Sequence, residues 1–145
     1  MMTKDFIRAG LSIVAKSAKT IIASVDDDGI PNLKAMLKPR ENDGLKVFYF
    51  TTNTSSLRVK QYSKNPKASI YFYDSRFFRG LMLRGTMEVL QDQPTKDRIW
   101  RDADTMYYSL GVTDPDYCVL KFTAENCRMY EHFKSYDFQV QQLPF

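Results

Sequence analysis

Leu45-Lys-Val-Phe-Tyr-Phe-Thr-Thr52, running on into Asn53-Thr-Ser-Ser-Leu-Arg-Val-Lys60, is the stretch whose reading decides the fold. Its first half is aromatic and β-branched, the composition of a half-buried strand. Its second half changes character. Asn53 to Ser56 supply N-cap chemistry, and a short helix is predicted over 57–63, stopping before Asn65-Pro66. Upstream, 20–25 and 30–38 read as strands joined by the Asp27-Asp28-Gly29 turn, and Asn42-Asp43-Gly44 reads as a second turn. Within 30–38, Leu33, Ala35 and Leu37 point one way and Lys34, Met36 and Lys38 the other. Downstream, strands are predicted at 68–73, 81–91 (interrupted by Gly85), 117–123 and 127–133, with an irregular tail to Phe145. A helix over 3–16 has Thr3 as its cap and Ile7, Leu11, Val14 and Ala15 at helical spacing, and another starts at Pro94 and runs through Trp100. About seven strands with short links predict a mostly β chain, an antiparallel sheet closing into a small barrel, as one domain over 1–145. No βαβ rhythm is present, which argues against a doubly wound dinucleotide fold.

Composition narrows the function. The 145 residues are 43% apolar and 26% charged, ordinary for a globular domain. No apolar run approaches the roughly 20 residues of a membrane span. The start of the chain lacks the pattern of a secretory signal, so a cytoplasmic location is expected. Two cysteines, Cys118 and Cys127, make no disulfide scaffold, and the single histidine, His132, removes His-rich metal sites. No acidic spacing resembles a metal loop, so no metal is expected. Between Lys34 and Arg84 stand 11 basic residues against 3 acidic, while the remainder holds 10 against 14. A basic centre between acidic ends suits either a bound anion or a solvated surface.

Two local patterns favour the anion. A helix beginning after Ser56 presents unpaired amides and a partial positive charge, and Thr52, Ser55, Ser56 and Arg58 add donors for a phosphate. The same residues also fit an ordinary capped helix with an exposed cation. Lys34, Met36 and Lys38 on one strand face suit a flat cofactor with an anionic portion, or an edge strand protected by lysines. Arg76-Phe-Phe-Arg79 mixes cations and aromatics as base-stacking surfaces do, but a strand-connecting loop accounts for it more simply.

Taken in order, Pro31-Asn-Leu-Lys-Ala-Met36, Val47-Phe-Tyr-Phe-Thr-Thr52, Ser56-Leu-Arg58 and Asn65-Pro-Lys-Ala68 resemble the pyridoxamine-phosphate-oxidase-like family of flavin-binding split barrels. Gly85, Trp100 and the Gly111, Asp114, Pro115 loop resemble its general stress protein branch. The resemblance spans roughly residues 20–130 and implies FMN, with a deazaflavin as the alternative, held at the interface of a homodimer. It places Lys34, Ala35 and Met36 along the flavin ring, Thr51 and Thr52 beside the ribityl-phosphate, and Ser56, Leu57 and Arg58 at the phosphate clamp. Leu57 stands where the oxidase has a second basic residue, which removes one charge from the clamp. Tyr130 occupies the place of a pocket-closing tryptophan. The chain ends Gln139-Val-Gln-Gln-Leu-Pro-Phe145, without the basic segment that grips pyridoxamine phosphate, so vitamin B6 oxidation is not expected. The implied activity is a flavin-dependent oxidoreductase working through the flavin N5 with a small-molecule redox partner. The alternative is a non-catalytic FMN carrier, sensor or scavenger in a stress response. No residue is singled out as catalytic, and neither nucleic acid nor membrane is an expected partner.

Overall fold

The computed structural model describes residues 3–143. In it, α1 (Thr3–Lys16) precedes β1 (Thr20–Val25), β2 (Pro31–Met36), β3 (Glu41–Asp43) and β4 (Val47–Asn53). Next come α2 (Leu57–Lys64), β5 (Lys67–Asp74), β6 (Arg79–Leu90) and α3 (Gln93–Ile99). Two 3-10 turns lead into β7 (Tyr117–Glu131), which is followed by β8 (Lys134–Gln139). All strand pairs are antiparallel, in the order β2-β1-β5-β6-β7-β4-β3, with β8 also on β7. The fold is an antiparallel split β-barrel. The end strands β2 and β3 do not pair with each other among the described residues, so the sheet stays open rather than closing.

Period-two burial builds the core. Thr20, Ile22 and Ser24 of β1 face inward with Phe48, Phe50 and Thr52 of β4 and Ala68, Ile70 and Phe72 of β5. Phe48 packs its ring 5.3 Å from Phe72 and 6.4 Å from Phe122. α1 covers part of this core with Phe6, Gly10, Ile13 and Val14; the expected Ile7 and Leu11 flank that stripe. Thr3, expected as its cap, is its first helical residue. A separate cluster of Ile99, Tyr108, Tyr117 and Val119 lies beneath Trp100. No described helix is long and apolar enough to cross a membrane.

The strands differ most from expectation in three places, besides shifts of one or two residues at the ends of β2, β5 and β6. Asn42 and Asp43 belong to β3, pairing with Phe48 and Val47, so the turn falls at residues 44–46 and the next strand starts at Val47. The two strands expected at 117–123 and 127–133 are one, β7, which continues through Glu125 and Asn126 because β6 runs beside it on both sides of that polar pair. The register slips between Arg84 and Gly85, where a Cβ would stand 1.9 Å from the Thr123 carbonyl oxygen; glycine is required by this close approach. The tail expected to be irregular forms β8, folded back at His132 and Phe133, both left-handed at φ 53° and 62°. Its last two residues lie outside the described part. α3 ends one residue early, with Trp100 as its C-cap.

Candidate anion seat at the head of α2

The end of β4 and the start of α2 form a tight corner because Asn53 to Ser56 favour turn and cap geometry over strand. Ser56 is extended (φ −69°, ψ 152°) and its hydroxyl accepts from the Val59 amide at 3.4 Å, as expected of an N-cap. Helix geometry leaves the Leu57 and Arg58 amides without intrahelical carbonyl partners, and the positive end of the helix dipole lies here. The Arg58 guanidinium folds back over β4, and its Nη2 donates to Thr52 Oγ1 at 3.1 Å. Its Nε is buried with no partner among the described residues, and so is Thr54 Oγ1. A buried, unpaired guanidinium donor is unfavourable unless an acceptor completes it. An oxyanion with several lone pairs does so, and a planar Arg fork suits it.

Three of the eight expected residues converge at this corner: Thr52, Ser56 and Arg58. Leu57 opens the helix and is 62% exposed, adding no polar contact. Thr51 points to the opposite face of β4 from Thr52, alongside Val119. Lys34, Ala35 and Met36 lie on the edge strand β2. Lys34 pairs with Ile22 and so shares the sheet face on which α2 rests, where Gln61 accepts from the Ser24 hydroxyl and Tyr62 donates to the Ala23 carbonyl at 2.9 Å. Its side chain is exposed, and Ala35 faces solvent. Met36 packs in the core, so its thioether is already covered by protein.

The composition pattern missed Asp116. Its carboxylate accepts from the Ser55 amide at 2.8 Å and from Asn53 Nδ2 at 2.9 Å, and its carbonyl accepts from the Thr54 amide at 2.7 Å. The Ser55 amide, then the Ser55 hydroxyl and Asn53, hold this carboxyl below the usual aspartate range. One signal was present, an Asp-Pro-Asp run just ahead of a strand, but the contact spans 61 positions. Cys118, buried behind the corner, donates to the Thr52 carbonyl at 3.7 Å; burial raises its thiol pKa and pushes that of Cys127 up to about 12. Both are packing residues, not nucleophiles at neutral pH.

The family model described as pyridoxamine 5'-phosphate oxidase matches residues 8–131. The chain belongs to this family. A Clostridium acetobutylicum protein related to general stress protein 26 of B. subtilis, of the pyridoxinephosphate oxidase family, is 39% identical, covers 97% of this chain and 99% of its own, and superposes with a TM-score of 0.88. A pyridoxamine 5'-phosphate oxidase-related, FMN binding protein from Nostoc punctiforme shares the fold at TM-score 0.72 and 14% identity over 97% of each chain. The pyridoxine/pyridoxamine 5'-phosphate oxidase of Rhizobium etli is 35% identical over 72 residues, 49% of this chain but only 34% of that enzyme. The chain thus matches about a third of the length of that curated oxidase.

Proposed function

We propose that this family member binds FMN, with the phosphate at the head of α2 and the flavin at the interface of a homodimer, and acts as a flavin-dependent oxidoreductase. The observation that carries the reading is the buried Arg58 Nε, without a partner among the described residues, beside a hydroxyl-lined helix start. In this reading Arg58, Ser56 and Thr52 hold the phosphate beside Leu57, the ring lies along the backbone of Lys34, Ala35 and Met36, and Thr51, on the other face of β4, meets the ribityl-phosphate through its backbone alone. The flavin, when bound, supplies hydride or electron transfer through its N5. Lys34 places a cation on the sheet face that carries α2, which favours negative charge on an adjacent ring. The FMN binding protein from Nostoc punctiforme supports the cofactor class through its shared fold. The β2 edge supports the dimer: Ile30, Leu33 and Leu37 are all more than half exposed.

The visible spectrum of the purified protein, with the released cofactor identified by mass, tests the reading and separates FMN from a deazaflavin. A colourless protein that takes up no flavin overturns it. Arg58→Ala is expected to weaken FMN binding by about 2–3 kcal/mol, roughly 30–150-fold in Kd, through loss of a charge-assisted contact. Steady-state NAD(P)H oxidation by the loaded protein above that of free FMN distinguishes an enzyme from a carrier.

A further inference from the structure

We propose that Asp116 is the positioning residue of the anion seat, fixing the turn between β4 and α2 so that Arg58 and the first amides of α2 are aimed at the phosphate. This rests on the flavin-phosphate reading above. Every residue of the turn, Asn53, Thr54 and Ser55, is tied to Asp116 through one side-chain amide and two backbone amides. A turn rich in Asn, Thr and Ser has several competing local hydrogen-bond arrangements. Three bonds to one remote residue select one of them.

Asp116 is itself held from below. The Asp114 carboxylate accepts from the Asp116 amide at 2.9 Å and from the Leu110 amide at 3.2 Å. Lys96 donates its Nζ to the Asp114 carbonyl at 3.0 Å, with its ammonium 5.3 Å from the Tyr117 ring centroid. Tyr117 closes the unit by donating its hydroxyl to the Lys96 carbonyl at 2.9 Å. Lys96 and Asp114 are both more than nine-tenths buried. Burying the Lys96 ammonium of α3 and the Asp114 carboxylate costs free energy unless both are hydrogen-bonded, and the bonds that satisfy them hold this segment in one conformation. The rigid object here is the carboxylate that takes the Ser55 amide. Because that amide is already satisfied, the seat offers a ligand Arg58 and the Leu57 and Arg58 amides. A negative charge next to an anion seat opposes binding through space, so its contribution comes through geometry.

FMN and riboflavin share a ring and differ in the phosphate, so their affinity ratio reports the seat alone. Fluorescence titration of the full chain with each is expected to show tighter FMN binding. Asp116→Ala is expected to cut that preference roughly tenfold, the scale of a lost charged hydrogen bond, with riboflavin affinity within about twofold of the parent. Asp116→Asn, which still accepts from the Ser55 amide, is expected to restore most of the ratio. An unchanged preference in Asp116→Ala, an equal loss for both ligands, or no rescue by Asp116→Asn overturns the proposal. Should Asp116→Ala fail to fold, Asn53→Ala removes one of the two carboxylate contacts and carries the same comparison. A parent protein with no preference for FMN overturns the phosphate seat itself; a parental preference that survives at Asp116 overturns only the positioning role.

Discussion

Two free edges of the sheet, β3 and β2, are built in opposite ways. β3 is three residues long and wholly polar, and its flanks are tied into the chain. Arg40, just before it, reaches the Asp104 carboxylate and the Ile99 carbonyl, while Arg101 Nη2 donates to the Arg40 carbonyl at 3.0 Å. Glu41 accepts from Arg98, whose guanidinium lies 4.7 Å from the Tyr49 ring centroid. β2 is twice as long and turns Leu33 and Ala35 outward, with Leu37 just beyond it and Ile30 just before. A short charged edge resists pairing, whereas a longer apolar one invites cover. The difference shows that β3 is tied into this chain, while β2 leaves an apolar edge open, the edge that the proposed homodimer would cover.

Four results would break or sharpen this contrast. The largest is expected from Asp104→Ala, which strands the buried Arg40 guanidinium and frees the Arg101 amide; a loss of about 3–5 kcal/mol in chemical denaturation is expected. Acid should reach the same contact. Burial raises the Asp104 pKa, but the hydrogen bonds from Arg40 and the Arg101 amide outweigh it and hold the carboxyl below its unfolded value of 3.8. Arg79 likewise lowers Asp74. Stability from these carboxylates is therefore complete above pH 3.8 and is lost as the pH falls through their lower folded values, which unfolding midpoints against pH would show. Next in size, Leu33→Glu on β2 should weaken self-association by about 1.5–3 kcal/mol, the burial of one leucine, with the fold intact by circular dichroism. A mass by light scattering that does not respond would remove β2 as the dimer edge. Smallest is Glu41→Ala at the exposed Arg98 pair, expected to change stability by at most about 1 kcal/mol, because both partners are half-solvated.

Gly85→Ala sharpens a different contrast, that between the two halves of β7. The added methyl meets the Thr123 backbone, which cannot yield as a side chain would, so a loss of about 3 kcal/mol and a drop of roughly 6–12 °C in Tm are expected. The half of β7 that pairs with β4 was readable as Tyr-Cys-Val-Leu-Lys-Phe-Thr, a continuous strand. The half that pairs with β8 was readable as a strand from Cys127, but its continuity with the first half was not. Glu125 and Asn126 look like a turn when only neighbours in the chain are considered, and His132-Phe133 carries none of the glycine or asparagine that usually marks a tight hairpin.

Local pattern alone determined the mostly β class, the bounds of β1 and of α1, the Ser56 cap and the presence of Arg58 at the head of α2, because burial on one face and capping are written within a few residues of each other. The tertiary structure decided which of these residues meet. It drew the Met36 side chain into the core, joined two predicted strands into β7 and brought Asp116 onto a turn 61 positions away. Those outcomes depend on sheet register and on which face each strand presents, and such long-range pairings are set only when the whole core closes.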